Sequence, residues 1–276
     1  MDTATNVPPA ISIRALQDLL GTPAAPHIVD VRHRAAFDMD PRILPAAWRR
    51  EPEHVVEWAA RLPRDRAIVV YCAHGYEISQ HVAATLATRG FDARFLDGGI
   101  ERWKVAGAPT LLKRPSAGIP GDRPSRWITR ERPKIDRIAC PWLIRRFIDP
   151  GAEFLYVPAG DVLAASLQQG ALPYDVPDVE FAHDGELCSF DAFLRRFGIA
   201  DPCLDALAAI VRGADTGKPE LTPQSAGLLA VSLGLSVNFP DDHAMLEHGM
   251  VIYDALYAWL CFAHAGNRNA DLMAKS

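Results

Sequence analysis

The chain has 276 residues, 49% of them hydrophobic and 23% charged, and a net charge of -5. That length accommodates two cores, the composition is that of ordinary soluble proteins, and the charge gives no general attraction to nucleic acid or an anionic membrane. The five cysteines stand at 72, 140, 188, 203 and 261 with no C-x-x-C pair, which argues against a disulfide framework or a zinc finger and for a reducing compartment.

Met1 to Ala10 shows no basic segment ahead of an apolar core, so no secretory leader is expected. Ala255 to Ala265, the longest apolar stretch, is too short to span a bilayer. The expectation is a cytoplasmic protein without membrane or nucleic-acid partners. A helix is expected near residues 11–20, strands at 27–31 and 67–71, a helix at 78–89 and a strand at 93–96. Such alternation predicts an α/β domain over residues 1–112, a doubly wound parallel sheet with helices on both faces. Residues 113–125 hold three prolines, two glycines and three basic residues without periodicity and read as a linker. Residues 126–276 read as a mostly helical α+β domain. Amphipathic faces run through Phe190, Phe193, Leu194 and Phe197, through Leu204, Leu207, Ala208 and Val211, and through Met245, Ile252, Leu256 and Leu260. Strands are expected at Glu153–Val157 and Val179–Phe181.

Cys72 is the residue that carries most chemistry. It follows the β-branched run Ala67-Ile68-Val69-Val70-Tyr71 and precedes a helix marked by Ile78, Val82 and Leu86, so it heads a strand-to-helix loop. Loop N–H groups and a helix N-terminus both favour a thiolate, the nucleophilic form of cysteine. The same local pattern also fits a buried packing cysteine.

The wider pattern adds Ile28-Val29-Asp30-Val31-Arg32, Phe37, Ile43-Leu44-Pro45-Ala46-Ala47, and Gly90-Phe91 through Asp97-Gly98-Gly99-Ile100-Glu101-Arg102-Trp103 to Pro109. With Cys72, these motifs resemble the rhodanese (sulfurtransferase) family over about residues 8–112. The resemblance implies that Cys72 takes sulfane sulfur from a small-molecule donor as a persulfide and passes it to a thiol or cyanide, with no cofactor required. It implies an anion cradle from the backbone of Ala73, His74, Gly75, Tyr76, Glu77 and Ile78, with Asp30 and Arg32 supporting the loop from below. The loop reads one residue longer than the family's usual six. It approaches the C-x5-R loop of rhodanese-like phosphatases and arsenate reductases, but Ile78 replaces the arginine. Phosphatase chemistry would then lack its bidentate oxyanion partner. Glu77 puts a carboxylate where thiosulfate would be repelled.

In the second half, Arg126 to Arg130, Lys134 to Asp149, Val179 to His183, Cys188 to Asp191, Ala214 to Gly217 and Leu256 to Trp259 resemble the C-terminal domain of chromate-resistance proteins. Such domains are also found fused to rhodanese units. Cys140-Pro141 predicts a helix start with Pro141 at its first position and Cys140 at the cap, where it could accept sulfur from Cys72. The alternative is a packing cysteine. Arg145 with Arg146 could hold chromate or another oxyanion, or be solvated surface or a salt-bridge donor. His243, Glu247 and Asp254 fall within about 40° on a helical wheel. Joined by Asp136 and His183 they would suit a metal ion, although a solvated helix face shows the same stripe. Two functional expectations follow: a sulfurtransferase linked to chromate or oxyanion stress, or a non-catalytic chromate- or metal-sensing protein.

Overall fold

A computed structural model describes residues 8–119 and 123–273, with side chains to residue 266. The chain forms two compact units, residues 1–124 with 146–150, and residues 125–145 with 151–276. Among the described residues no helix is long and apolar enough to cross a membrane.

The first unit runs β1 (Ala10–Ile11), α1 (Ile13–Gln17), β2 (His27–Asp30), α2 (Arg34–Met39), β3 (Arg42–Ile43), β4 (Ala47–Arg49), α3 (Val55–Ala59), β5 (Ile68–Tyr71), α4 (Glu77–Ala87), β6 (Ala93–Leu96), α5 (Gly99–Val105) and β7 (Leu111–Leu112). Five strands form one sheet in the order β1-β6-β5-β2-β4, and every pairing is parallel. This is the doubly wound α/β layout the alternation predicted. Side chains alternate across the pleat. Ile68, Val70 and Cys72 enter the core with α3 and α4, while Val69 and Tyr71 enter the opposite core with Leu16, Ile100 and Trp103. From β2 the chain steps to β4 on one side, and from β5 to β6 on the other. The order therefore reverses between β2 and β5, and ligands of such sheets bind at the carboxyl ends beside that reversal.

The stretch read as a linker is partly built. The Lys113 N–H donates to the Pro41 carbonyl at 2.8 Å, just after Leu111–Leu112 pairs antiparallel with Arg42–Ile43, and Arg114 bridges to Ile119 around a short 3-10 turn at Pro115–Ala117. Pro120, Gly121 and Asp122 lie outside the described residues.

The second unit runs β8 (Arg126–Arg130), α6 (Asp136–Leu143), β9 (Glu153–Val157), α7 (Val162–Gln169), β10 (Leu172–Pro173), α8 (Ser189–Phe197), α9 (Pro202–Asp215), α10 (Ser225–Asn238) and α11 (Asp242–Met273). It is mostly helical, around a parallel three-stranded sheet of order β10-β8-β9. The strand expected at Val179–Phe181 is reduced to one bridge, Phe181 with Tyr174. Phe181 is spent instead on packing: it stacks on Phe193 and Phe197 and meets Trp127 edge-on.

Pro141 is inside α6, not at its start. A proline there removes the N–H that would pair with the Arg137 carbonyl. Tyr174 Oη donates to that carbonyl in its place, at 3.5 Å, and the chain then widens into a π-turn at Ile144–Ile148. The helix starts five residues earlier than the proline suggested, because Ile135 turns the chain abruptly at φ 35°. A β-branched residue there costs on the order of 1–3 kcal/mol. Its N–H donates to Ser232 Oγ at 3.1 Å and its carbonyl accepts from Tyr253 Oη at 2.8 Å, which holds it in place.

Candidate functional site

Cys72 sits at the carboxyl end of β5, next to the reversal in strand order. Because the strand alternates, its sulfur faces α4, and Sγ lies 3.3 Å from Ser79 Oγ. Ser79 is in the first turn of α4 and is fully buried; its hydroxyl also donates to the Tyr76 carbonyl at 3.2 Å. A hydroxyl has one proton. While that proton serves Tyr76, the thiol can donate to Ser79; when the thiol ionises, the hydroxyl can turn and donate to sulfur. Ser79 went unnoticed in the sequence because a serine near a helix start is commonplace.

The loop's shape comes from α5. The N–H groups of Ile100 and Glu101 donate to the carbonyls of Cys72 and Ala73, each at 3.0 Å. Since a peptide is planar and trans, the N–H groups of Ala73 and His74 point away from α5. Gly75, at φ 74°, permits the close approach: a Cβ there would lie 2.6 Å from the Leu96 carbonyl oxygen and 2.7 Å from the Gly98 nitrogen. Gly99 is also obligatory, as its Cβ would run into the Cys72 and Ala73 carbonyls. Tyr76 caps α4 without a side-chain hydrogen bond, so the first-turn N–H groups have no cap from it. His74, Tyr76 and Glu77 are exposed, and Ile78 packs against the α4-side core.

Below the loop, Asp30 and Arg32 are both buried and paired in two-pronged fashion, Nε to Oδ1 at 3.0 Å and one terminal nitrogen to Oδ2 at 2.6 Å. Tyr71 Oη donates to Asp30 Oδ2 at 2.8 Å, and the other Arg32 terminal nitrogen reaches Asp40 at 2.9 Å. The network ties the end of β2 to the residue before Cys72. Burial pushes the Tyr71 hydroxyl well above its usual pKa, with the Asp30 carboxylate adding to it.

In the second unit the structure brings Asp136 and His183 together and adds Asp175 and Asp215. His183 Nε2 lies 3.4, 3.2 and 3.2 Å from carboxylate oxygens of Asp136, Asp175 and Asp215. Asp136, the first residue of α6, is fully buried and accepts the N–H groups of Ser189 and Phe190 at the N-terminus of α8, at 2.5 and 3.0 Å. Burial raises its pKa to about 6, against the pull of His183. Asp175 is buried too, but His183, Arg137, Ser189 and Arg130 outweigh burial and hold it below the usual carboxylate range. His183 is raised far above an ordinary imidazole by hydrogen bonds, from Asp136 first. Asp175 and Asp215 went unnoticed because they come from a loop and the far end of α9, distant in sequence from both Asp136 and His183.

The other second-unit expectations are corrected. Cys140 is not a helix cap but the fifth residue of α6, fully buried, with burial and then Asp136 pushing its thiol pKa well up. It is the packing cysteine, unsuited to receiving sulfur. Arg145 is paired with Glu247 at 2.6 Å and lies over the Phe154 ring, so its charge serves that contact. His243 packs edge-on against Tyr156, and Asp254 accepts from Trp142 Nε1 at 2.8 Å. The stripe His243, Glu247 and Asp254 therefore does not join the Asp136–His183 cluster: each member is engaged by a different neighbour of α11.

Comparison with known proteins places both units. Residues 12–106 match the model of the rhodanese-like domain, and residues 127–260 that of the ChrB C-terminal domain. The chain belongs to the rhodanese-like family through its first unit and carries a ChrB C-terminal domain as its second. It is similar to Protein ChrB of Cupriavidus metallidurans, 35% identical over 150 residues, covering 51% of this chain and 45% of that protein. The chain thus matches less than half of that relative's length. It is also similar to thiosulfate sulfurtransferase GlpE of Pseudomonas savastanoi pv. phaseolicola, 33% identical over 79 residues, covering 28% of this chain and 72% of that protein. Among solved structures it is similar to a rhodanese-related protein from Thermoplasma volcanium, with 25% identity, 38% of this chain and 99% of that chain covered, and a TM-score of 0.34.

Proposed function

We propose that the first unit is a sulfurtransferase working through Cys72. The observation that carries this reading is the position of Cys72: at the carboxyl end of the central parallel strand, under a loop turned by Gly75 and beside the uncapped first turn of α4. The Cys72 thiolate attacks the outer sulfur of a sulfane donor. The donor's sulfur–sulfur bond breaks, and its remaining fragment leaves with the electron pair. The resulting persulfide gives its terminal sulfur to a thiolate or cyanide, and the Cys72 thiolate returns. Ser79 supports both anionic states by turning its hydroxyl to sulfur. Cys72 is only 4% exposed, which selects thin donors that present sulfur end-on. None of these steps needs a cofactor, and among the described residues no cysteine is in a disulfide, which suits the cytoplasm. The ChrB-type second unit links this chemistry to chromate or oxyanion stress. Replacing Cys72 with serine should abolish transfer to cyanide and to thiols; full activity in that variant would overturn the assignment.

A second reading, a non-catalytic chromate- or metal-sensing protein, is favoured by the loop's charge. Residues 73–78 offer no lysine or arginine and present Glu77. Sulfur transfer by the wild-type chain would exclude that reading for the first unit, and its absence with every sulfane donor would support it.

A further inference from the structure

Three carboxylates from three separate segments meet one imidazole nitrogen in the second unit. His183 Nε2 is 3.2 Å from Asp175 Oδ1, 3.2 Å from Asp215 Oδ2 and 3.4 Å from Asp136 Oδ2. A ring nitrogen carries one N–H, and a charge-assisted bond from it to a carboxylate closes to about 2.7–2.9 Å. None of the three distances is that short. Around a first-row cation, bonds of about 2.0–2.1 Å put tetrahedral neighbours about 3.3 Å apart and octahedral neighbours about 2.9 Å apart. The spacing resembles ligand edges around a single ion more than a hydrogen-bonded ion pair.

Charge points the same way. Asp175 is paired with Arg130 and Arg137, but among the described residues Asp136 and Asp215 have no lysine or arginine ion pair. The Asp136 side chain is 1% exposed, so its charge is desolvated, and among the described residues a shared imidazole is its one cationic partner. The outer contacts are those that orient ligands. Backbone N–H groups of Ser189 and Phe190 fix Asp136, and Ser189 Oγ donates to Asp175 Oδ1 at 2.9 Å.

We infer that Asp136, Asp175 and His183 form a site for one first-row divalent cation, with Asp215 beside His183 on its other side. One imidazole nitrogen with two carboxylate oxygens suits Mn2+, Fe2+ or Zn2+, and disfavours soft Cu+. His183 is 40% exposed and lies on the open side, where an ion can enter and water can complete the coordination. The inference does not rest on sulfur transfer at Cys72. The competing arrangement is an imidazolium clamped by three carboxylates, which needs no ion.

The test is a titration of the full chain, stripped with chelator and dialysed, with MnCl2 and separately with ZnCl2. Saturable binding of one ion per chain is expected. Replacing His183 with Gln or Asp175 with Asn should each weaken it at least about tenfold, with circular dichroism confirming the fold. Bound Mn2+ should show nitrogen coupling in pulsed EPR that is lost in His183→Gln. No saturable binding of either ion to the folded wild type would overturn the site, as would unchanged binding in both variants. Should a variant not fold, the wild-type spectrum decides: bound Mn2+ without nitrogen coupling overturns the assignment.

Discussion

The contact between Cys72 and Ser79 concentrates the chemistry of the first unit into two atoms 3.3 Å apart. A hydrogen bond to a charged sulfur is worth about 1.5–3 kcal/mol. Replacing Ser79 with Ala should therefore lower kcat/KM for sulfur transfer by roughly 10–100-fold. Cys72→Ser should abolish transfer altogether. Unchanged kinetics in Ser79→Ala would mean that its hydroxyl stays with the Tyr76 carbonyl throughout. Glu77 opens α4 and is exposed. If its charge opposes anionic donors, Glu77→Gln should lower KM for thiosulfate and leave kcat nearly unchanged, since repulsion of this kind acts on ground and transition states alike. A KM that stays the same or rises would show that the carboxylate is turned from the donor's path. The salt dependence of KM gives an independent check, because an exposed charge is screened.

At the scale of elements, the site depends on how β2, β5 and α5 are tied together. Asp30 holds Arg32 with both oxygens and takes the Tyr71 hydroxyl as well. Asp30→Asn leaves the buried Arg32 with Asp40 as its remaining carboxylate partner, and removing one partner of a buried pair costs about 3–5 kcal/mol. Chemical denaturation of the first unit should show a loss of that size; a loss below about 1 kcal/mol would place the pair with ordinary surface salt bridges. Gly75→Ala should be more damaging to function than to folding. Its Cβ would press on backbone atoms of Leu96 and Gly98 at a φ that L-residues rarely adopt, so the loop must move from its place over Cys72. The expected result is sulfur transfer down by an order of magnitude or more, measured against a thermal transition that still shows a folded chain. What could be read beforehand follows the same division. The strands at residues 67–71 and 93–96 and the helix after Cys72 were legible because their apolar spacing is local. The α6 start was misplaced because a proline at the first helical position is the commoner arrangement, and only the tertiary hold of Ser232 and Tyr253 on Ile135 moves the boundary back. The helix α10, rich in Gly, Ala, Leu and Ser, has no clear apolar stripe and was not anticipated.

At the scale of the whole molecule, the first unit carries Cys72 at the carboxyl end of its parallel sheet and the second carries the His183 cluster, and each was only partly visible in the sequence. Cys72 was visible because strand, nucleophile and helix are contiguous. The His183 cluster is half legible: Asp136 and His183 stand out in the sequence, but His243, Glu247 and Asp254, which invite grouping with them, share a helical stripe and not a place. Asp175 and Asp215 complete the cluster from segments that no periodicity connects. The charge of -5 and the exposed Glu77 together argue for donors of low charge over strongly anionic ones. The most direct test of the central claim is mass spectrometry of the intact chain after brief exposure to a sulfane donor, with peptides mapped under non-reducing conditions. A single added sulfur on Cys72, removed by cyanide and absent in Cys72→Ser, is the predicted result. No added sulfur on Cys72, or sulfur found equally on other cysteines and retained in Cys72→Ser, would contradict it.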